Sequence, residues 1–223
     1  MHIGLIGGIG PAATDVYDRR LIARAAARGA ALDLTMVHAD AATLLAHLAA
    51  DDVQAQLAIH LRLTARLAAA GAGCVAVTSI AGHFCIQAFK AASPLPVIDM
   101  IEAVGVAVAR RGLRRLGILG TRRVMQSRLY GAIPGIAIIP PEGAALDAVH
   151  EAYAIMAACG VVTAQQRAVF EAAGRGLLMA QGAEAIMLGG TDLALAFDAA
   201  NPPFPLVDCL DIHVDAIAEL AWA

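Results

Sequence analysis

Cys74-Val75-Ala76-Val77-Thr78-Ser79-Ile80-Ala81-Gly82-His83 and Ala185-Ile186-Met187-Leu188-Gly189-Gly190-Thr191-Asp192 follow one plan. Each is an apolar run preceded by a helical segment and a glycine-containing turn, Ala70-Gly71-Ala72-Gly73 in the first case and Gln181-Gly182-Ala183-Glu184 in the second. Each breaks into small and hydroxyl residues where a parallel strand hands over to a helix. Ligands of open α/β sheets bind at such carboxyl ends. Two of them at matching places in the two halves of the chain predict one interdomain cleft with two opposed walls.

Outward from these ends the pattern alternates. Strands are expected at His2 to Ile6, Leu32 to Val37, Cys74 to Val77 and around Pro94 to Asp99, with helices at Pro11 to about Arg28, about Asp52 to Ala70 and from near Gly82. The plan then restarts: helix Ile101 to Arg111, strand Leu116 to Leu119, helix Met125 to Tyr130, strand Ile136 to Ile139. Helices at Leu146 to Ala158 and Ala164 to Gln181 follow, then strand Ala185 to Leu188, strand Leu206 to Cys209 and a helix from Asp211. Strands alternating with helices imply parallel, doubly wound sheets. Gly7 matches Gly120 and Ser79 matches Gly190, so the fold class is α/β, with two pseudo-symmetric flavodoxin-like (Rossmann-like) domains. The expected division is 1–98 plus 208–223, and 99–207.

Composition narrows the function. At 223 residues, 59% hydrophobic and 16% charged, the chain has ample core material, and its net charge of −3 argues against a nucleic-acid partner. No apolar stretch reaches the roughly 18 charge-free residues of a membrane span. Met1-His2-Ile3-Gly4 enters a strand without a basic leader, so a cytoplasmic location is expected. The cysteines Cys74, Cys85, Cys159 and Cys209 have no metal or redox spacing and read as small apolar residues. No metal site is expected.

Gly8-Ile9-Gly10-Pro11-Ala12-Ala13 fits the G-x-G-x-x-A dinucleotide pattern between a strand and a helix, with Asp40 after strand two as the corresponding ribose acid. The same glycines could instead expose backbone N–H groups at a helix start to a carboxylate or phosphate, or form a tight turn and nothing more.

Leu5-Ile6-Gly7-Gly8-Ile9-Gly10-Pro11-Ala12-Ala13-Thr14, the two strand ends, Gly120-Thr121 with Met125 and Tyr130, and Val149-His150-Glu151-Ala152-Tyr153 resemble the aspartate/glutamate racemase family over nearly the full chain. The resemblance implies two similar α/β domains with the active site between them, a homodimer, no cofactor, and amino-acid metabolism. It also implies one cysteine at each strand end, in C-N-T-x-H and G-C-T-E contexts, one thiolate removing the α-proton and the other thiol returning it. This chain departs at both places. Ser79, Ile80 and Ala81 stand for C-N-T ahead of His83, and Gly190 stands for the second cysteine ahead of Thr191 and Asp192. Cys74 should lie inside its strand, about 17 Å upstream by strand rise.

A cysteine titrates near pH 8.5, whereas a serine hydroxyl needs an adjacent base and glycine has no proton chemistry. The expected catalytic groups are therefore His83, suited to acid–base work by a pKa of about 6.5, Asp192 and an assisting Ser79. Gly8, Gly10, Thr14, His38, Asp40, Thr121, Gly190 and Thr191 are the expected substrate-binding positions. Against this stand plain roles: His83 filling a helix start, Asp192 capping one, His38 with Asp40 forming a turn, His213 packing. The leading expectation is a divergent member of that family, transferring a proton at the carbon α to a carboxylate of a small amino or dicarboxylic acid. A lyase that decarboxylates malonates, resembling a racemase with one cysteine exchanged for glycine, and a non-catalytic carboxylate-binding protein are the alternatives.

Overall fold

Ile3–Gly7 (β1), Cys74–Val77 (β3) and Ala185–Leu188 (β7) are buried at every position, as strands covered on both faces must be. The computed structural model describes residues 1–127, 133–197 and 201–222. Its elements run β1, α1 (Pro11–Arg28), β2 (Leu34–His38), α2 (Ala41–Ala50), α3 (Val53–Ala69), β3, α4 (Ile86–Ala92), β4 (Val97–Ile98) and α5 (Met100–Arg110). They continue with β5 (Arg115–Leu119), α6 (Arg122–Gln126), β6 (Ala137–Ile139), α7 (Gly143–Cys159), α8 (Ala164–Gln181), β7, β8 (Leu206–Asp208) and α9 (Cys209–Ala221).

The strands form two all-parallel four-stranded sheets, ordered β2-β1-β3-β4 and β6-β5-β7-β8. One unit holds Met1–Ala103 with Asp211–Ala223, the other Val104–Leu210. The chain passes from one to the other within α5 and α9, a few residues after the boundaries 98/99 and 207/208 expected from the sequence. A helix side chain belongs to the sheet it packs on, so the crossing falls inside the helix.

The repeat holds at the level of single rungs. The last pair between the first unit's central strands is Ile6 with Val77, and the corresponding pair in the second unit is Leu119 with Leu188. Counting one and two residues onward makes Gly7 equivalent to Gly120 and Ser79 equivalent to Gly190. Both units also need a glycine in the central strand beneath the helix that precedes the next one. A Cβ on Gly4 would lie 3.0 Å from Leu67 Cδ1 of α3, and one on Gly117 would lie 2.9 Å from Leu177 Cδ1 of α8. In the first unit Ile6, Leu63, Leu67, Val75, Val77 and Phe89 make the core under α3 and α4.

Three features differ from the sequence reading. Helix α2 had no counterpart there: only Leu44 and Leu48 of its residues are buried, so its apolar periodicity is faint, and Asp40 caps it. The helix expected from near Gly82 is a 3₁₀ turn, Ile80–Cys85, continued by α4, and a similar turn, Thr191–Leu195, follows β7. Helix α6 begins at Arg122, and the expected helix end at Tyr130 lies outside the described residues. Among the described residues no helix is long and apolar enough to cross a membrane.

A Cβ on Gly4 would also lie 2.8 Å from the Cys74 carbonyl oxygen, whereas the two nearest atoms to one on Gly117 are side-chain ends, Ile186 Cδ1 at 2.7 Å and Leu177 Cδ1 at 2.9 Å. Backbone cannot step aside as a rotamer can. Gly4→Ala is expected to cost about 1–3 kcal/mol and Gly117→Ala less, as read from urea unfolding midpoints.

Candidate active site

At the end of β3, Ser79 occupies the N-cap position of the Ile80–Cys85 turn in extended backbone, 4% exposed, and its side chain makes no cap hydrogen bond. His83, 1% exposed, folds back within that turn: its Nδ1–H donates to the Ser79 carbonyl at 2.8 Å. The amide of Met100, at the start of α5, donates to His83 Nε2 at 3.2 Å. These partners define the Nδ1–H tautomer and engage both ring nitrogens with backbone. Burial, partly opposed by Asp99, pushes the ring below its usual pKa. Both ring nitrogens of His83, the expected acid–base histidine, thus hold backbone, and the ring fixes the carbonyl of Ser79.

Thr14 is the centre of the neighbouring glycine turn. Its hydroxyl donates to the Gly10 carbonyl at 3.0 Å, accepts from the Gly8 amide at 3.1 Å, and lies 3.0 Å from the hydroxyl of Thr78. Gly8 needs its positive φ of 93° to make this turn, and a Cβ there would strike the Ala39 carbonyl at 2.5 Å and the His38 ring at 2.6 Å. The Gly8 N–H that was expected to face a carboxylate is consumed by Thr14. Gly10 is the N-cap residue of α1, without a side-chain cap and ahead of Pro11. Asp40 accepts from the Thr43 amide at 2.7 Å and the Thr43 hydroxyl at 2.6 Å, and these bonds hold its carboxyl below the usual range. It is a helix cap at the exposed edge of the turn that begins at His38. The structure therefore brings Gly8, Gly10, Thr14, Thr78 and His38 to one end of the first sheet, with Asp40 turned to the start of α2.

In the second unit Gly190 is the residue equivalent to Ser79, N-cap of the Thr191–Leu195 turn, with ordinary extended dihedrals (φ −98°, ψ 125°). Glycine is needed here for space, not for conformation. A Cβ at 190 would sit 2.6 Å from Tyr153 Cζ and 2.7 Å from its hydroxyl oxygen, with Cε2 closer still. The Tyr153 hydroxyl, carried by α7, donates to Asp192 Oδ2 at 2.8 Å. Both residues are buried, at 6% and 4% exposure, as is Thr191. Burial first, then the Asp192 charge, raises the Tyr153 pKa well above its usual value, while the Asp192 backbone works the other way. Thr121 caps α6 through the Val124 amide, 3.2 Å away, and His150 Nδ1 accepts from the Arg122 amide at 3.2 Å.

Tyr153 is the residue whose position the sequence did not reveal. It appeared there only within the Val149-His150-Glu151-Ala152-Tyr153 stretch that resembles the family, with no role assigned; in the structure His150 is a cap, Glu151 is exposed and Tyr153 is buried. The one available signal was the Gly189-Gly190 pair, which leaves a vacancy for some other side chain.

None of the four cysteines stands at either strand end. Cys74 is buried at the start of β3 and Cys85 in the turn, both with thiols pushed up by burial, Cys85 to about 11. Cys209 is buried and Cys159 exposed. Among the described residues no cluster of three or more His, Cys, Asp or Glu is placed to hold a metal ion.

Parallel β2-β1-β3-β4 units with chemistry-bearing residues at the carboxyl ends of their central strands define a doubly wound α/β protein of the duplicated kind. Residues 6–217 match the model of the Asp/Glu/hydantoin racemases, and the chain belongs to that family. It is similar to a Yersinia pestis protein assigned to the Asp/Glu racemases, at 26% identity and a TM-score of 0.86, with all of both chains covered. An aspartate racemase homologue from Pyrococcus horikoshii is 21% identical, with a TM-score of 0.84 over 100% of this chain and 99% of that one. Glutamate racemase from Francisella tularensis, solved with D-glutamate, is 16% identical, with a TM-score of 0.60 over 99% and 81%. At these last two identities the likeness is one of fold.

Thr14→Val leaves the buried Gly8 amide without its acceptor. It is expected to cost about 1–3 kcal/mol, and Thr14→Ser much less, by the same unfolding assay. A second outcome follows from buried histidines. His213 is fully buried: its Nε2–H donates to the Ile98 carbonyl at 3.0 Å and its Nδ1 accepts from the Tyr17 hydroxyl at 2.7 Å. Burial pushes it down to about 3, and His60 to about 4. The unfolded chain binds these protons near pH 6.5, so stability is lost as pH falls below that value. The slope is about 1.4 kcal/mol per pH unit for each histidine. His213→Gln, which can keep both hydrogen bonds, should flatten the loss by one proton in urea titrations between pH 7 and 4.

Proposed function

We propose that this chain is an isomerase of its family that works without a cofactor, moving a proton on the carbon α to the carboxylate of a small amino or dicarboxylic acid. The observation that carries the reading is the equivalence of Ser79 and Gly190: the same strand end in each unit, both short of a thiol, in a chain of the Asp/Glu/hydantoin racemase family. Proton transfer here relies on oxygen groups. Ser79 supplies a hydroxyl whose oxygen is not committed to capping its own turn, and Asp192 supplies the carboxylate. His83 is a positioning residue in this scheme, since both its nitrogens hold backbone. Thr121, Thr191 and the glycine turn around Gly10 and Thr14 are the proposed carboxylate-binding surroundings, with His38 beside Gly8. A homodimer acting in the cytoplasm on metabolic amino acids completes the proposal.

One observation favours a second reaction. With Gly190 in place of a proton-transferring side chain, only one face is served by residues of the strand ends themselves. A decarboxylation, in which the departing carbon dioxide leaves the carbanion, needs only one proton donor.

Purified protein would be incubated in D₂O with L- and D-amino acids, dicarboxylates and substituted malonates, and the α-proton signal followed by NMR. Loss of the α-proton signal with inversion supports the isomerase. Carbon dioxide release with one deuteron incorporated identifies the lyase. Binding seen by thermal shift, without exchange or release on any member, leaves a non-catalytic carboxylate binder. On the active substrate, Ser79→Ala should lower kcat about 10²-fold or more, and an unchanged rate removes Ser79 from the reaction.

A further inference from the structure

Resting on the isomerase reading, we propose that Tyr153 is a catalytic residue: its hydroxyl, held by Asp192, takes the place of a side chain at position 190 and carries the proton at that strand end. Three observations converge. Position 190 is the rung-for-rung equivalent of Ser79, the one position in the first unit where a hydroxyl stands at the end of β3 and leaves its turn uncapped. The Tyr153 ring fills the space that any Cβ at 190 would need, and its oxygen lies 2.7 Å from where that Cβ would be. A polar atom thus stands within 3 Å of the missing carbon, in the neighbourhood where a residue at 190 would carry its own functional atom. Finally, the hydroxyl is bonded to a buried carboxylate, at 2.8 Å, in a site where phenolate is disfavoured.

This arrangement suits a relay more than a phenolate base. The substrate Cα–H bond breaks and its electron pair stays on the substrate, delocalised into the carboxylate as an enediolate. The proton goes to Tyr153 Oη while the proton already on that oxygen passes to Asp192 Oδ2. Tyr153 ends neutral, Asp192 ends protonated, and the reverse transfer delivers a proton to the carbanion from this side. No oxidant, reductant or further reactant is needed. A tyrosine reaching in from another helix costs the strand end its own side chain, so Gly190 and Tyr153 are one device.

Two measurements test it. On a substrate whose α-proton the wild-type protein exchanges in D₂O, Tyr153→Phe keeps the ring and removes the relay. It is expected to lower exchange at least 10²-fold, with a Tm loss of about 2–10 °C because buried Asp192 loses this donor. Asp192→Asn should do the same, and its residual rate should lose the acid limb of the pH profile. Exchange by Tyr153→Phe at the wild-type rate overturns the proposal. The second measurement needs no activity. Gly190→Ala is expected to lower Tm by roughly 3–10 °C in the wild type, from overpacking, and by much less in a Tyr153→Ala background. Equal losses in both backgrounds overturn the shared-space placement. If no substrate is exchanged by the wild-type protein, the isomerase reading has failed and the catalytic role of Tyr153 falls with it; the Tm cycle then still decides whether the ring holds the place of a side chain at 190.

Discussion

The close seating of a leucine over a glycine is the contact on which each unit depends. Leu67 of α3 lies over Gly4 and Leu177 of α8 lies over Gly117, both near enough that a single added methyl would collide. A helix allowed that close to the central strand sets the height at which the chain leaves the helix, turns and enters the next strand. In the first unit the next strand is β3 and in the second β7, and these are the strands whose ends carry Ser79 and Gly190. The position of the chemistry is therefore a consequence of how tightly two helices sit.

Beyond the last rungs the two units spend their polar groups differently. The first uses most of them on itself. Thr14 ties together the Gly8 amide, the Gly10 carbonyl and the hydroxyl of Thr78, and His83 spans from the Ser79 carbonyl to the Met100 amide. Such bonds are the requirement of burial, since an unpaired polar group in the interior costs more than the bond itself returns. What they achieve is a rigid setting for one short side chain, Ser79. In the second unit the corresponding position has no side chain at all, and a longer residue from α7 comes in over it, anchored on the carboxylate two positions along the chain.

Buried histidines connect this frame to solution conditions. His60 and His213 are held neutral by burial, and His213 joins α9 to β4 and α1 through Ile98 and Tyr17. Arg24 of α1 adds ion pairs to Asp211 and Asp215 of α9, at 2.7 and 2.8 Å. The chain's last helix thus closes the first unit, although it follows the second in sequence.

The alternation of apolar runs with helical periods, the glycine turns and the repeat between halves were legible from residues alone, because parallel strands buried on both faces and their turns leave local signatures. Helix α2 was not, since its two buried leucines leave little period, and the turns after β3 and β7 looked like helices because a 3₁₀ turn uses the same residues. At the site, the sequence by itself determined what is missing: no thiol at position 79 or 190, and only hydroxyls, a histidine and an acid nearby. Whether those groups are free or spent was decided by tertiary structure alone. His83 has both nitrogens taken by backbone from two elements, the Gly8 amide is satisfied by Thr14, and Asp192 is met by Tyr153 from a helix far away in the chain. Sequence records which hydrogen-bonding groups exist; burial and packing across elements determine which of them still have a bond to offer.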